Sequence, residues 1–179
     1  MNWHEDIDLE NVFELQPARP ITYFGIGAIQ KFDNIMSKLE KEKEKALIIT
    51  GSSSYKKSGA WDTVKPVLEE KNIEYNHYDD VRPNPTFEYC DKIAEQGIEN
   101  GIDLIISIGG GSPHDTAKTV AALIENPEKT AEDFYLKGDP IKQATDIINI
   151  NLTHGTGSEV DRVAVAQCDE RQEKPAILS

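Results

Sequence analysis

The sequence predicts an α/β fold in which helices cover both faces of a parallel sheet. Short strand-like segments alternate along the chain with amphipathic segments of helical period. Most of the strand-like segments are apolar throughout, as expected for strands buried on both faces. Glycine-rich or polar loops follow these strands, as in α/β proteins that bind ligands. Strands are expected at residues 46–50, 73–78, 104–108 and 147–152, with a further short one at 163–166.

The N-terminal segment, residues 1–45, is expected to contribute edge strands and the first helix. Residues 11–15 and 21–24 are β-like, and Pro17 and Pro20 favour a position at a sheet edge because proline cannot donate to a strand ladder. A helix follows Gly27, with its apolar face formed by Ile29, Phe32, Met36 and Leu39.

One helix is expected between the first and second strands of the sheet, and another between the second and third. The first contains Val64, Val67 and Leu68, and Pro66 should limit or kink it. The second begins at a cap formed by residues 84–86 and ends at Gly101. Its apolar face comprises Phe87, Cys90, Ile93, Ala94, Gly97 and Ile98.

The most informative segment is the glycine turn, Gly109 to Ser112, which directly follows the strand at 104–108. Three glycines allow backbone N–H groups to approach a ligand that any Cβ would obstruct. Ser112 is predicted as the N-cap of the next helix, with Pro113 in the first helical position and Asp115 completing a capping box. The helix N-terminus would then favour an anion. A tight turn without a ligand is the alternative, since this is not the GxGxxG fingerprint.

Four distinctive loops should converge at one edge of the sheet, because each of them follows a strand. Besides the glycine turn they are the serine loop (Gly51 to Ser54), the segment 83–85 and the threonine loop (Thr153 to Ser158). Ligands of parallel sheets bind beyond the carboxyl ends of the strands. The sequence therefore predicts an extended, phosphate-bearing ligand across that edge.

Composition narrows the class of partner. The 179 residues carry a formal net charge of −13, and 38% of them are hydrophobic. This balance disfavours nucleic acids and anionic membranes as partners, since no basic patch offsets it. The two cysteines are far apart and form no CxxC motif, so a reducing cytoplasm is expected. No signal peptide or membrane-spanning segment is expected.

With these loops in order, the sequence resembles the iron-containing (group III) alcohol dehydrogenase family. The matching motifs are Phe24-Gly25-x-Gly27-Ala28, Pro83-Asn84-Pro85, Gly109-Gly110-Gly111-Ser112-Pro113-x-Asp115-x-Ala117-Lys118 and Gly155-Thr156-Gly157-Ser158-Glu159-Val160. The resemblance covers the N-terminal, nucleotide-binding half of that family. It implies a Rossmann-like sheet and one dinucleotide-binding domain over residues 1–179, of which residues 1–45 supply the edge strands and first helix.

The resemblance also implies an activity, namely hydride transfer between an alcohol or aldehyde and NADP or NAD. Family members carry a helical C-terminal domain in which an Asp and three His bind a metal such as Fe²⁺ or Zn²⁺. That domain is absent from this chain, so the chain alone is expected to bind the nucleotide without turning over alcohol. Homo-oligomers are expected, because relatives commonly pair through their N-terminal strands.

Site residues are implied by the same motifs. Gly110, Gly111 and Ser112 would contact the cofactor diphosphate, flanked by Thr153 and Thr156. Asn84 would lie on the adenosine side, whereas Asp115 and Lys174 would lie near the nicotinamide as candidate catalytic residues. Asp161, where relatives often have Thr, is also expected to contact the cofactor. Leu152 and His154 depart from the Thr and Ala that relatives usually have at those positions.

The serine loop suggests which cofactor is preferred. Relatives that use NAD often place an Asp after this strand, where it accepts hydrogen bonds from the ribose and repels a 2′-phosphate. Here Gly51, Ser52 and Ser53 offer space and hydroxyl groups, with Lys56 and Lys57 close in sequence. We therefore expect a preference for NADP, the alternative being that Gly51 only serves a turn.

Other functions remain open at this point. A glycerol dehydrogenase, a glycerol-1-phosphate dehydrogenase or a dehydroquinate synthase-like enzyme would belong to the wider superfamily. A stand-alone nucleotide-binding or regulatory protein derived from a dehydrogenase is a further alternative, and a phosphofructokinase-like cradle is a remote one. A metal site formed by His114 and His154 with Asp115 or Asp161 is also conceivable, but no metal ligands are assigned.

Overall fold

A computed structural model describes residues 13–15 and 20–178, and its internal contacts divide the chain into two compact units, Met1–Lys41 and Glu42–Ser179. The first unit contains strands β1 (Phe13–Leu15) and β2 (Thr22–Phe24), which pair antiparallel with each other. A 3₁₀ helix over Ala28–Lys31 follows and leads into helix α1 (Phe32–Met36). The amphipathic segment is therefore two short helical pieces, not one helix through Leu39.

The second unit alternates strands and helices, as predicted. Its elements in order are β3 (Lys45–Thr50), α2 (Ser54–Lys57), α3 (Ala60–Glu70), β4 (Glu74–Tyr78), α4 (Phe87–Asn100), β5 (Leu104–Gly109), α5 (Gly111–Ile124), α6 (Ala131–Tyr135), β6 (Asp146–Asn151), β7 (Val163–Val165) and β8 (Ala176–Leu178).

Four of these strands form one parallel sheet in the order β4-β3-β5-β6. The central strands β3 and β5 are buried along nearly their whole length, which explains their continuous apolar sequences. The chain runs from β3 outward to β4 and then crosses to β5 on the other side of β3. The strand order therefore reverses between β3 and β5, which is where such sheets bind ligands.

Helices cover both faces of the sheet, which confirms the predicted α/β class. On one face, Tyr55 of α2 and Trp61 of α3 pack against the ring of His77 in β4, with ring centroids 4.9 and 5.2 Å apart. On the other face, Leu47, Ile49 and Ile105 belong to a buried cluster shared with α4, α5 and α6. Adjacent residues of a strand point to opposite faces, so β3 contributes to both layers.

Several sequence predictions need correction at the level of single elements. Pro66 lies inside α3 and does not end it. The short elements α2 and β8 were not predicted, and β8 pairs antiparallel with β7 beside the main sheet. Residues 11 and 12 of the first expected strand lie outside the described residues. Within residues 13–15 and 20–178, no helix combines the length and the apolar character needed to cross a membrane.

Candidate cofactor-binding site

The candidate site lies at the carboxyl ends of β3 and β5, where the strand order reverses. Thr50, the last residue of β3, is paired with Ile108 of β5. The serine loop and the glycine turn therefore leave neighbouring strands at the same edge. Gly109, the last residue of β5, is paired with Asn151 of β6, which brings the threonine loop to the same edge. Three of the four predicted loops thus begin on three adjacent strands.

The glycine turn leads directly from β5 into α5. Gly110 is the N-cap in an extended conformation, and the helix begins at Gly111. The predicted cap at Ser112 is therefore wrong, because the helix starts before that residue. Ser112 lies in the first turn, where its backbone N–H and that of Gly111 have no acceptor four residues earlier in the helix. These two amides lie at the positive end of the helix dipole, so they favour a negatively charged ligand in the turn.

A Cβ would be excluded at Gly109 and crowded at Gly111. A Cβ on Gly109 would lie 2.5 Å from Cγ of Pro113, and one on Gly111 would lie 3.0 Å from Cγ2 of Thr156. A Cβ on Gly110 would meet Thr153 only at 3.5 Å, which is ordinary contact. The turn thus packs tightly against α5 and the threonine loop, and Gly110 is the position at which the protein leaves room.

The threonine loop folds back over the glycine turn. The amide of Leu152 donates to the carbonyl of Gly109 at 2.7 Å, which fixes the start of the loop. Further along the loop, Oγ1 of Thr156 accepts a hydrogen bond from the amide of Ser158 at 3.2 Å, which forms a local turn. Thr153 and Thr156 are both exposed, so their hydroxyl groups are accessible to a ligand lying across the edge.

A charged cluster secures the far end of that loop to α5. Lys118 is 6% exposed, and its ammonium lies 2.8 Å from Oδ1 of Asp161 and also donates to the carbonyl of Val163. Asp115 accepts a 2.6 Å hydrogen bond from the hydroxyl of Ser158 and lies 3.9 Å from the same ammonium. Burial raises the pKa of Asp115, while Ser158 and Lys118 oppose that shift. Asp161, expected to contact the cofactor, is thus engaged by a lysine.

Asn84 and Lys174 form the other side of the site. Nζ of Lys174 donates to Oδ1 of Asn84 at 2.6 Å, and both line a cavity of about 50 Å³ together with Ser112 and Asp115. The two residues were expected at opposite ends of the cofactor, on the adenosine and nicotinamide sides. In the structure, these two side chains contact each other directly. Asn84 holds a left-handed backbone (φ 60°), which asparagine tolerates better than most residues.

The serine loop is more open than the glycine turn. Ser52 and Ser53 are exposed, and the nearest atom to a Cβ placed on Gly51 would be the carbonyl oxygen of Val81 at 3.7 Å. A Cβ at position 51 would therefore meet only an ordinary contact. Lys56 is exposed as well, and its ammonium lies 5.3 Å from the ring centroid of Tyr55.

The histidines that could have formed a metal site do not come together. His154 is exposed, whereas His114 is fully buried beneath the glycine turn and hydrogen-bonded to Ser107. Among the residues that the structure describes, no group of three or more His, Cys, Asp or Glu side chains is arranged to hold a metal ion. The described residues therefore do not fit a metal centre.

Sequence reasoning missed three residues that support this site: Lys118, Ser158 and His114. Lys118 and Ser158 appear in the matched motifs, but nothing in their spacing indicates an ion pair with Asp161 or a hydrogen bond to Asp115. Both partners lie 43 positions away along the chain. Burial of His114 was signalled only by its position on the apolar face of α5.

Comparison with known proteins places these features in a family. The model of the family described as iron-containing alcohol dehydrogenase matches residues 20–179. The chain is 49% identical over 176 residues to the long-chain primary alcohol dehydrogenase AdhA of Thermoanaerobacter ethanolicus, covering 98% of this chain and 44% of that protein.

Two butanol dehydrogenases are also similar, each 34% identical. The NADH-dependent butanol dehydrogenase A of Clostridium acetobutylicum aligns over 87% of this chain and 39% of its own length. The NADPH-dependent enzyme of Clostridium saccharobutylicum aligns over 80% and 36%, respectively. The chain thus spans less than half the length of the curated relatives it matches.

A solved structure agrees with the fold. The iron-containing alcohol dehydrogenase of Thermotoga maritima superposes with a TM-score of 0.74 at 35% identity, covering 84% of this chain and 40% of that one. Both the fold class and the family that the motifs resembled are confirmed.

Proposed function

The chain belongs to the iron-containing alcohol dehydrogenase family, and from this premise we propose that it binds a nicotinamide dinucleotide with the diphosphate on the glycine turn. The observation that carries the proposal is the position of this turn. It starts an α-helix at the point where the strand order of a parallel sheet reverses, and the threonine loop borders it. That arrangement combines the two features that favour diphosphates in α/β proteins.

Each part of the site has a role in this proposal. The amides of Gly111 and Ser112 would donate to diphosphate oxygens, and the exposed hydroxyls of Thr153 and Thr156 would donate from the opposite side. Asp115 would face the part of the ligand beyond Ser112, because both line the same cavity. When bound, the nicotinamide supplies the carbon that accepts or donates hydride.

In the complete protein we propose oxidation of an alcohol, or reduction of an aldehyde, by that cofactor. The described residues would bind and orient the nucleotide. They do not fit the metal that the family's name implies, so we assign them no metal-dependent step, and that metal would be held by other residues. For the 179-residue chain by itself we propose nucleotide binding without appreciable alcohol turnover.

Calorimetric titration of the 179-residue chain with NADPH and NADH tests the binding site. Thr153→Val with Thr156→Val removes both hydroxyls at nearly constant volume, and we expect affinity to fall about tenfold. Thr63→Val, the same change on α3, should leave affinity unchanged. Loss of binding in the control, or full binding in the double variant, would contradict the site.

We further propose that NADP is preferred over NAD. The support is local: Gly51 follows β3, and the loop from Gly51 to Ser54 carries hydroxyl groups and itself contains no carboxylate that would repel a 2′-phosphate. The similar butanol dehydrogenases include an NADH-dependent and an NADPH-dependent enzyme, so the preference of this chain has to be argued from the residues of the serine loop.

Gly51→Asp is a sharp test, because a Cβ at this position meets only an ordinary contact. We expect NADPH affinity to fall about tenfold or more while NADH affinity is kept or improved, since the carboxylate repels the 2′-phosphate and accepts from the ribose. Gly51→Ala is the matched control and should leave the preference unchanged. Equal or tighter NADH binding by the unaltered chain would refute the preference.

We also propose a cytoplasmic location and a homo-oligomer. Both cysteines, Cys90 and Cys168, are free and buried, as suits a reducing compartment. In the N-terminal unit, Ile21 and Ile26 are 51% and 74% exposed, which gives that unit an apolar surface for self-association. Light scattering of the purified chain would test the second point, and a monomer at micromolar concentration would contradict it.

A further inference from the structure

The region behind the glycine turn contains a buried polar network that the proposed function does not use. His114 lies in the first turn of α5 and is completely buried. Its Nδ1 is 2.6 Å from the hydroxyl of Ser107 in β5, and its Nε2 is 3.3 Å from Oδ1 of Asn151 in β6. In the neutral imidazole, Nε2–H donates to Asn151 and Nδ1 accepts from the Ser107 hydroxyl, which also lies 2.6 Å from Oδ1 of Asn149. One imidazole thus joins the helix to two strands.

The network continues into the threonine loop. Oδ1 of Asn151 also accepts from the backbone amide of Thr153 at 3.4 Å. Nδ2 of Asn151 is buried and has no hydrogen-bond partner among the described residues. The position of this amide group is therefore set through Oδ1 alone, by His114 on one side and Thr153 on the other. Removing His114 would leave only the longer contact to hold it.

Because this network is buried, the loss of one hydrogen-bonding side chain affects the others. Burial lowers the pKa of His114, and Lys118 lowers it further, whereas Glu159 and the hydrogen bond to Asn151 act in the opposite direction. An apolar side chain in place of the imidazole would leave the Ser107 hydroxyl with only Asn149, and Oδ1 of Asn151 with only the Thr153 amide, as hydrogen-bond partners. Unpaired buried groups are costly, so these side chains would move toward other partners.

We propose that His114 is a positioning residue that sets the threonine loop against the glycine turn through Asn151. The proposal rests on the proposed function, because the loop and the turn are the two sides of the diphosphate site. His114 does not touch the ligand in this account. It acts by fixing Asn151, whose Oδ1 holds the amide of Thr153, while the bond from Leu152 to Gly109 anchors only the start of the loop.

Three substitutions test the contact of Nδ1 with Ser107 and the contact of Nε2 with Asn151 separately. In His114→Gln the side-chain amide reaches the place of Nε2 and can keep the contact to Asn151. In His114→Asn the amide occupies the place of Nδ1 and keeps the contact to Ser107 only. His114→Leu loses both. Thr119→Val is the matched control, because Thr119 is equally buried on α5 and its hydroxyl bonds to the Tyr135 hydroxyl and to the backbone carbonyl of Asp115, not to Ser107 or Asn151.

We expect NADPH affinity to fall about tenfold in His114→Leu and His114→Asn, and to stay within about threefold of the original in His114→Gln and Thr119→Val. A role in stability alone would not distinguish Gln from Asn by which contact they retain. Equal losses in His114→Gln and His114→Asn, or unchanged binding in His114→Leu, would overturn the proposal.

Amide hydrogen exchange of the ligand-free chain tests the same link without any nucleotide. Exchange of the Thr153 amide should accelerate about fivefold in His114→Leu and His114→Asn but not in His114→Gln. Unchanged exchange in His114→Leu would contradict the positioning role. Failure of the unaltered chain to bind NADPH or NADH would instead reject the proposed function, and the exchange result would still decide the role of His114.

Discussion

The glycine turn and the serine loop leave neighbouring strands at the same edge, yet they are constructed differently. In the glycine turn, a Cβ on Gly109 would overlap Pro113, and one on Gly111 would be crowded by Thr156. In the serine loop, Gly51 would meet only one ordinary contact, and the serines after it are exposed. The first region has a shape fixed by the protein, whereas the second can change its side chains without changing its backbone.

This difference suggests a division of labour between the two regions. The diphosphate is common to NAD and NADP, so a rigid turn can serve both, and rigidity keeps its donors aligned. The 2′-phosphate is the group that distinguishes the two cofactors, so an open loop is the place where specificity can vary. The predictions below test this contrast, beginning with the largest expected effect.

Gly109→Ala should be the most damaging change. Its Cβ would overlap the ring of Pro113 in the first turn of α5, and a proline ring can move little. We expect the free energy of unfolding to fall by about 3 kcal/mol, at the upper end of overpacking costs. Urea denaturation followed by circular dichroism measures this. A loss below about 1 kcal/mol would show that the turn is not tightly constrained.

Lys118→Met should cost about 2 kcal/mol of unfolding free energy. The change leaves Asp115 and the carbonyl of Val163 without their buried cation, although Asp161 is partly exposed and can be hydrated. Asp161→Asn alone should cost less, and the double variant should cost less than the sum of the two. Additive losses in this double-mutant cycle would mean that the ion pair does not hold the loop.

His114 makes stability depend on pH in a predictable direction. Because its pKa is lowered in the folded protein, the unfolded chain binds more protons between the folded pKa and about 6.5. The free energy of unfolding should therefore decrease as the pH falls below about 6.5 through the folded pKa of this group. His77 shifts in the same direction, so the difference between the unaltered chain and His114→Gln isolates the effect. Parallel pH profiles for the two proteins would contradict it.

Gly51→Ala should have almost no effect, in contrast to Gly109→Ala. Its new methyl group meets only the Val81 carbonyl, at an ordinary distance, and the loop needs no left-handed backbone at this position. We expect a change within about 0.5 kcal/mol in unfolding free energy. A large loss would show that the serine loop is as constrained as the glycine turn and would remove the contrast.

Much of the fold could be predicted from sequence because its central strands are buried on both faces. Residues 104–108 and 46–50 are apolar at nearly every position, and no other environment suits such segments as well. The predicted start of α5 was wrong for a tertiary reason. Ser112 is a good N-cap by local preference, but the packing of Pro113 on Gly109 starts the helix two residues earlier than that cap would.

The side-chain network of the site was less accessible to sequence reasoning. The contacts that hold Asp115, Lys118 and Asp161 join residues far apart along the chain, and no local pattern encodes them. Asn84 and Lys174 are 90 positions apart, and only the folded chain shows them in contact. Motifs identified which residues gather at the edge of the sheet but not which of them bind one another.

The central claim is that backbone amides of the glycine turn hold a diphosphate, and nuclear magnetic resonance tests it most directly. Addition of NADPH to the ¹⁵N-labelled chain should shift the amide resonances of Gly111 and Ser112 most strongly, with those of Thr153 and Thr156 next. Saturable shifts confined to another surface, with the Gly111 and Ser112 resonances unmoved, would contradict the claim.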